Sequence, residues 1–405
     1  MTWTIQRLGH QGDGIADGPV FAARTLPGEQ IDGTLNDDRI DDIKIIKPSS
    51  DRVKPLCSHY KICGGCSLQH ASDAFVATWK KNIVTTALQA HGIHTDVATI
   101  HSSPPNSRRR AKLAGRRTKS GAIVGFHGKS TNIITSVTDC RVLSNRILAT
   151  FPDLEAMTMM AASRKAPVSL IVTENLNAID LAIDDAKPIT DALRAQLGAT
   201  ASQRPFNRLT WNGEILYQLS QPFQSFGRAQ VTPPPGAFLQ ATPDGQTTLI
   251  NHVMRAVQDA RKVIDLFAGC GTFALPLASF TSVHAVEADA EMLLALHQGW
   301  RTADGLRKVT TEDRDLFRRP VLPDELAPYD AAVIDPPRAG AEAQVTELIK
   351  SKIGKICYVS CNPVTFARDA AMLVAGGYNL GDLHVVDQFR WSTHIELVAV
   401  FSNRS

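Results

Sequence analysis

The sequence contains no long uninterrupted apolar segment. Its longest apolar run, residues 263–280, includes Asp265, Pro276 and two glycines, whereas a membrane-spanning helix needs about 20 consecutive apolar residues. The first residues also lack the apolar core of a signal peptide. With 43 Lys and Arg against 40 Asp and Glu, the chain has little net charge, so any nucleic-acid binding must come from local patches. These absences predict a soluble cytoplasmic protein that has no membrane partner.

Composition narrows the class of protein further. A hydrophobic fraction of 43% and a charged fraction of 20% are ordinary for globular domains, which excludes a disordered or fibrous chain. The seven cysteines accompany no export signal, which favours metal binding or catalysis over disulfides. No heptad or apolar stripe requires a protein partner. The length of 405 residues predicts two or three domains.

Three stretches of the chain differ in pattern. In residues 1–48, short β-type runs alternate with Gly and Pro turns, which predicts a small antiparallel barrel. Residues 49–210 are mixed and predict a central α+β region with a helix over 73–90. In residues 211–405 strands alternate with helices, one of them over 272–280, which predicts an α/β domain with a doubly wound parallel sheet. Its last two strands predict an antiparallel pair at the sheet edge.

The segment 101–130 is rich in basic residues and contains no acid. Its basic residues are Arg108, Arg109, Arg110, Lys112, Arg116, Arg117, Lys119 and Lys129. A solvated strand face would explain some of them. Eight like charges in an otherwise balanced chain favour a surface that binds phosphates.

A glycine-rich turn predicts a nucleotide-type ligand site. Asp265 precedes Gly269-Cys-Gly271 at the junction of a strand with a helix, and Glu287 ends the next strand, where an acid can bind ribose hydroxyls. An acid inside the strand end suits the cationic amino-acid end of S-adenosylmethionine better than a pyrophosphate. A dinucleotide and a purely structural turn are the alternatives. Asp315 follows a third strand, where it either meets the adenine or caps a helix.

Three further motifs predict chemistry at the carboxyl ends of the strands in this sheet. Asp335-Pro-Pro-Arg338 is a stiffened loop, Cys361 lies at a loop tip within Ser-Cys-Asn-Pro, and Glu396 is a charge among apolar residues. A nucleophilic cysteine, a carboxylate base and a methyl donor together predict methylation at carbon 5 of uracil. That carbon becomes nucleophilic once a thiolate has added to carbon 6.

The same motifs resemble the RNA uracil-5 methyltransferase family, in the family's order and over nearly the whole chain. The resemblance implies a class I, Rossmann-like methyltransferase domain and, in residues 1–48, an OB-like TRAM domain. It implies that Cys361 is the nucleophile and Glu396 the base. It also implies that six residues line the S-adenosylmethionine site: Gln240 of a Phe-x-Gln motif, Phe267, Thr272, Glu287, Asp315 and Asp335.

A cysteine cluster lies in the middle stretch. Cys57, Cys63 and Cys66 are spaced C-x5-C-x2-C, and Cys140 is a candidate fourth ligand. The spacing alone leaves iron–sulfur, zinc and unliganded thiols open. The resemblance implies a [4Fe-4S] cluster with a structural or RNA-positioning role. It also implies RNA as the partner, with 23S rRNA preferred and tRNA as the alternative. The rival functions from other classes are an RNA-binding module with a relict site and a dinucleotide oxidoreductase.

Overall fold

The structure is a computed structural model, and it describes residues 2–129 and 131–403. The N-terminal strands close into a five-stranded barrel in the order β1-β2-β3-β5-β4, in which β3 and β5 run parallel. These strands are β1 (Thr2–Leu8), β2 (Gly14–Ala16), β3 (Val20–Ala22), β4 (Gln30–Asn36) and β5 (Arg39–Lys47). Their inward side chains, which include Ile5, Ile31 and Ile40, form a small separate core. The predicted barrel is therefore present, with one parallel strand pair that the sequence pattern did not predict.

The middle stretch contains both helices and strands, and its strands belong to two different sheets. Its elements are α1 (Asp73–Gln89), β6 (Thr99–Ser102), β7 (Arg110–Arg117), β8 (Ala122–His127), β9 (Ile134–Ser136), α2 (Asn145–Ala149), α3 (Phe151–Ala161), β10 (Val168–Glu174), β11 (Ile179–Asp184), α4 (Asp191–Ala201), β12 (Phe206–Trp211) and β13 (Glu214–Gln218). Seven of its strands form one sheet in the order β13-β12-β11-β10-β7-β8-β9. This sheet packs against α3 and α4 around a core that includes Leu154, Leu170 and Leu197.

The remaining elements alternate between strand and helix. They are β14 (Gln224–Phe226), β15 (Ala229–Val231), α5 (Pro243–Ala256), β16 (Lys262–Leu266), α6 (Ala274–Leu277), β17 (Ser282–Glu287), α7 (Ala290–Thr302), β18 (Val309–Asp313), α8 (Pro323–Leu326), β19 (Ala331–Ile334), α9 (Glu342–Ser351), β20 (Lys355–Ser360), α10 (Pro363–Ala375), β21 (Tyr378–Asp387) and β22 (Leu397–Asn403). Strands β16 to β20 are parallel neighbours, as predicted. None of the described helices is long and apolar enough to cross a membrane.

The last sheet differs from the prediction at its edge. Its order is β18-β17-β16-β19-β20-β22-β21-β6. The final two strands are antiparallel, as predicted, but β22 lies between β20 and β21, and β6 pairs with β21 in parallel. The edge strand therefore comes from the middle stretch, and each of its residues pairs with one 285 positions later, as Thr99 does with His384.

The predicted division at residues 49 and 210 also differs from the sheets. The helix α1 contributes Val84 and Leu88 to the core of the last sheet, and β13, which begins at Glu214, belongs to the seven-stranded sheet. Val84, Leu88 and Val97 are thus buried against the eight-stranded sheet, across the predicted boundary. The predicted helix over 272–280 is shorter as well, with α6 covering only Ala274–Leu277.

Candidate active site

The predicted site residues gather along one edge of the eight-stranded sheet. Phe267, Asp335 and Cys361 each directly follow a parallel strand, and Glu287 is the last residue of β17. In open parallel sheets, the loops after the carboxyl ends of the strands form the ligand-binding crevice. The chain topology therefore brings together side chains that are up to about a hundred residues apart in sequence.

The glycine turn after β16 is held by Glu287. One carboxylate oxygen of Glu287 accepts the amide of Gly269 at 3.0 Å, and the other accepts the amides of Ala288 and Asp289 at 2.8 and 3.0 Å. Gly271 has a left-handed backbone, and a Cβ there would come within 2.9 Å of Leu275 and Leu296, so glycine is required. Thr272 lies half-buried at the start of the short turn before α6.

Asp265, near the end of β16, is fully buried and lacks a hydrogen bond of normal geometry at either carboxylate oxygen. Burial raises the pKa of Asp265 well above its usual range, and the neighbouring Asp335 adds to that effect, while the amide of Ala274 opposes it. An unpaired buried carboxylate is costly. The arrangement suits a ligand that brings its own positive charge or hydrogen-bond donors.

Two aromatic side chains are in contact in the loops that follow β16 and β18. The rings of Phe267 and Phe317 lie 5.5 Å apart, and Phe267 has a left-handed backbone with φ of 63°, which is a strained conformation of the kind found at ligand sites. Asp315, two residues before Phe317, accepts the amides of Phe317 and Arg318 at 2.9 and 3.3 Å. Its carboxylate therefore caps a turn at 316–318, whereas one of the two predictions for Asp315 had it cap a helix.

The side-chain amide of Gln240 forms hydrogen bonds with Asp335 and Gln388. Its amide nitrogen donates to Asp335 at 3.5 Å, and its amide oxygen accepts from Gln388 at 2.6 Å. Gln240 and Gln388 are both almost completely buried. Because Gln388 occupies the oxygen, the nitrogen of Gln240 is the end directed to Asp335.

Cys361 and Glu396 lie directly beyond the end of the antiparallel pair of β20 and β22, and the charge of Glu396 acts on the Cys361 thiol. The last paired positions of β20 and β22 are Ser360 and Leu397, so Cys361 and Glu396 occupy the next position of the register. Burial raises the pKa of Cys361 to about 11, the carboxylates of Glu396 and Asp335 act in the same direction, and Arg338 opposes them. Burial also raises the pKa of Glu396 well above its usual range, with a further contribution from Asp335.

Asp335 is the third carboxyl group of this site whose pKa is raised, after Asp265 and Glu396. Burial raises its pKa to about 7. Carboxyl groups whose pKa values are raised towards neutrality are suited to proton transfer. The loop around them is braced by Asn362, whose side chain donates to the carbonyl of Arg338 at 2.8 Å, while the Arg338 side chain lies 3.4 Å from His394.

The four predicted cysteine ligands line one small cavity in the middle of the chain. Its other walls include Phe126, Val137, Val142 and Arg108. The amides of Gly65 and Val142 donate to the sulfurs of Cys63 and Cys140 at 3.4 and 3.5 Å. In residues 2–129 and 131–403, no three His, Cys, Asp or Glu side chains lie close enough together to hold a single metal ion.

The basic segment 101–130 does not form one continuous surface. Arg109 is almost completely buried, and its guanidinium donates to Gln224 at 2.9 Å, to the side chain of Gln246 and to the carbonyl of Gln240 at 3.0 Å. Lys129 is paired with Asp13 at 2.6 Å. Exposed basic side chains remain at Lys112, Arg116 and Lys119. The prediction that all eight basic residues serve a phosphate surface is therefore wrong for Arg109, which instead supports the backbone of Gln240.

Three residues of this region were not predicted from the sequence as part of the site. Gln388 and Phe317 contact predicted ligand residues, and Arg109 supports one of them. Only Phe317 had a local signal, because it is an aromatic residue in the loop that contains Asp315. Gln388 and Arg109 reach the site through pairings between distant parts of the chain, which no local pattern reveals.

The chain is similar to known RNA methyltransferases along its full length. The sequence profile of the tRNA (Uracil-5-)-methyltransferase family matches residues 232–404. An uncharacterized RNA methyltransferase of Brucella suis biovar 1 is 42% identical over 98% of this chain and 97% of its own. A 23S rRNA (uracil(1939)-C(5))-methyltransferase of Shewanella sp. (strain ANA-3) is 32% identical over 99% of this chain and 95% of its own.

A solved structure shows the same fold. The Pyrococcus abyssi tRNA (uracil-54, C5)-methyltransferase, crystallised with S-adenosyl-L-homocysteine, superposes with a TM-score of 0.79 over 99% of both chains, at 21% identity. The Rossmann-like methyltransferase sheet and the barrel thus have a counterpart in a known enzyme. This chain belongs to the S-adenosylmethionine-dependent RNA (uracil-5-)-methyltransferase family of enzymes.

Proposed function

We propose that this enzyme methylates carbon 5 of a uridine in 23S rRNA through a transient covalent bond between Cys361 and carbon 6. The observation that supports the proposal most directly is the adjacency of Cys361 and Glu396 beyond the last register pair of β20 and β22. A thiol and a carboxyl side by side can act on the two neighbouring carbons of one pyrimidine ring. An N-methyltransferase would need no such pair.

The reaction balances with these two groups. The Cys361 thiol loses its proton to solvent, and the thiolate adds to carbon 6 while the electrons of the C5–C6 double bond move towards the oxygen on carbon 4. Carbon 5 then attacks the donor methyl, and the bond from that methyl to sulfur breaks to leave S-adenosylhomocysteine. Glu396 removes the proton from carbon 5, the C5–C6 double bond forms again, and the bond to Cys361 breaks.

Before the reaction can start, the Cys361 thiol of the ligand-free enzyme must lose its proton. With a pKa of about 11, the Cys361 thiol is neutral near pH 7, and Arg338 is the cation that lowers this pKa. A cationic methyl donor beside Asp265 and Asp335 would lower the pKa values of these carboxyls. Binding of the methyl donor and ionisation of the Cys361 thiol are therefore coupled, because both depend on the charges of neighbouring carboxyl groups.

Six residues are proposed to hold the methyl donor: Gln240, Phe267, Thr272, Glu287, Asp315 and Asp335. Asp265 is a further candidate on physical grounds, because its buried carboxylate lacks a normal hydrogen bond. Glu287 has both oxygens engaged with backbone amides, which fixes the orientation in which it would meet ribose hydroxyls. Phe267 and Phe317 offer an apolar surface for the adenine ring.

We further propose that Cys57, Cys63, Cys66 and Cys140 hold a [4Fe-4S] cluster. The donor set fits, since four thiols line one cavity whose other walls are largely apolar, and amide donors to two of the sulfurs are typical of cluster sites. Bound there, a cluster would cross-link the segment 57–66 to residue 140.

The preference for 23S rRNA rests on the relative that is 32% identical and is named for that substrate. The structural likeness to a tRNA enzyme is at 21% identity and supports the fold alone. The exposed Lys112, Arg116 and Lys119 lie on or beside β7, where they would contact phosphates of either RNA.

Methyl transfer to defined RNAs tests the proposal. Purified enzyme is incubated with labelled S-adenosylmethionine and unmodified transcripts of 23S rRNA or tRNA. We expect 5-methyluridine in 23S rRNA, and methylation of tRNA alone would overturn the rRNA assignment. With 5-fluorouridine-containing transcripts, wild type should form an adduct that survives denaturation, and Cys361→Ala should form none. Cys357→Ala is the matched control, because Cys357 is a core residue of the same strand. An adduct in Cys361→Ala would overturn the covalent step.

A further inference from the structure

One connection in the last sheet determines the positions of several site residues. It is the β21–β22 loop, residues 388–396, which begins directly after Asp387 and ends with Glu396. Gln388 donates to Gln240 at 2.6 Å, His394 lies 3.4 Å from the Arg338 side chain, and Glu396 follows two residues later. A displacement of this loop would therefore move the proposed base and the support of the donor site together.

Lys80 of α1 is inserted beneath the β21–β22 loop. Its side chain is fully buried, and its ammonium donates to the carboxylate of Asp387 at 2.6 Å, to the carbonyl of Phe389 at 3.2 Å and to the carbonyl of His394 at 2.9 Å. An ammonium has three protons, so each can be matched to one of these acceptors. The three acceptors lie directly before the loop, near its start and two residues before its end.

Asp387 extends the same network into the loop backbone. The oxygen that accepts from Lys80 also accepts the amide of Phe389 at 3.0 Å. Further along, Trp391 has a left-handed backbone with φ of 59°, and its carbonyl accepts the amides of Ser67 and Leu68 at 2.8 and 2.9 Å. The loop is thus fixed to the middle stretch of the chain at both Lys80 and Trp391.

The chemistry of a buried ion pair indicates what Lys80 contributes. Replacing such a pair by apolar residues is often neutral or stabilising, because both charges lose their hydration. Here the ammonium also binds two backbone carbonyls that no apolar side chain could satisfy. The contribution that is specific to Lys80 is therefore to the conformation of the β21–β22 loop and not to the burial of apolar surface.

We propose that Lys80 is a positioning residue that holds the β21–β22 loop in the geometry in which Glu396 reaches the proton on carbon 5. The inference rests on the proposed function, since it assigns Glu396 the role of the base. The carbonyl of His394, which Lys80 binds, is two residues from Glu396, and misplacement of a catalytic group by about 1 Å can lower the rate about 100-fold.

Two readouts separate positioning from general stability. Capture of 5-fluorouridine-containing RNA requires Cys361 and the donor, but not the base, because fluorine replaces the proton that Glu396 removes. Turnover of unmodified RNA requires the base as well. In Lys80→Met we expect turnover to fall roughly 100-fold, while capture by the folded protein at saturating donor falls less than threefold. Lys81→Met is the matched control, because the neighbouring lysine takes no part in these contacts, and it should retain both rates.

A second variant keeps the test decisive if Lys80→Met fails to fold. Lys80→Met combined with Asp387→Asn removes both charges, while the asparagine oxygen can still accept the amide of Phe389. We expect the same split between turnover and capture, together with accumulation of an adduct on unmodified RNA. Equal losses of turnover and capture, or wild-type turnover, would overturn the positioning role. Failure of wild type to capture the fluorinated RNA would overturn the proposed function itself, and with it this inference.

Discussion

Cys361 and Glu396 lie next to each other one residue beyond the pairing of Ser360 with Leu397 in β20 and β22. The two strands are separated by α10 and β21 in the chain, so the pair exists only because β22 is inserted next to β20. This register places the proposed nucleophile, Cys361, beside the proposed base, Glu396. The pair divides the reaction into a step that needs the thiol and a later step that needs the carboxylate.

The first prediction concerns the later step. In Glu396→Gln, the proton on carbon 5 cannot be removed, and Cys361 cannot be released. We expect a covalent protein–RNA adduct that contains the transferred methyl group, with multiple turnover lowered at least 100-fold, the lower range for loss of a general base. Gel electrophoresis of denatured reactions with labelled donor measures both. Glu312→Gln is a control on β18, remote from the thiol, and normal turnover by Glu396→Gln would show that another group is the base.

The second prediction is a pH dependence of Cys361 alkylation in the free enzyme. Because its pKa is about 11, the rate with iodoacetamide should rise about tenfold per pH unit between pH 7 and 10, as the thiolate fraction does. Arg338→Gln removes a cation that lowers this pKa and should slow alkylation at pH 9. Glu396→Gln removes a carboxylate that raises it and should speed alkylation.

Peptide mass spectrometry distinguishes Cys361 from the other cysteines in this measurement. Arg255→Gln serves as the control, since Arg255 is exposed on α5. A rate that levels off near pH 8 in wild type would contradict the raised pKa.

Local sequence patterns predicted those parts of the fold that depend on local order. The helix predicted over 73–90 is α1 to within one residue, and the parallel strands predicted in residues 211–405 are β16 to β20. Short apolar runs after turns and a 3.6-residue period are sufficient signals for such elements. The loops that follow the parallel strands were predicted for the same reason, and with them the placement of Asp335 and Cys361.

The parts that the sequence did not predict depend on pairings between distant segments. Nothing in Thr99–Ser102 indicates that it becomes the edge strand beside β21. Arg109 stands among basic residues, yet its side chain is buried by glutamines from two other segments. Charge patterning describes a surface only when the fold leaves the residues exposed, and Lys80 is a further charged residue whose burial has no local signal.

The third prediction concerns the unpaired carboxylate of Asp265. Its pKa in the folded protein is raised above the value in the unfolded chain, so the folded state holds the proton more tightly. The free energy of unfolding should therefore fall as pH rises from about 4 through the folded pKa. Asp265→Asn removes this contribution and should stabilise the ligand-free protein by about 1–3 kcal/mol at pH 8.

The same substitution should weaken ligand binding. A charge-assisted hydrogen bond contributes about 1.5–3 kcal/mol, so we expect affinity for S-adenosylhomocysteine to fall roughly tenfold or more. Urea denaturation at pH 5 and pH 8 and titration calorimetry measure the two effects. Asp324→Asn, at an exposed position of α8, should change neither. A destabilised Asp265→Asn with unchanged affinity would show that Asp265 is structural.

The last prediction concerns the cysteine cavity. Protein purified or reconstituted without oxygen should contain about four iron and four sulfide per chain. Cys140→Ser should lose most of both, because Cys140 is the one ligand outside the segment 57–66. Cys361→Ala should keep them, since that thiol lies at the sheet edge and not in the cavity. Iron, acid-labile sulfide and zinc are quantified on the same samples. One zinc per chain without iron would contradict the cluster, whereas iron retained in Cys140→Ser would exclude that cysteine as an essential ligand.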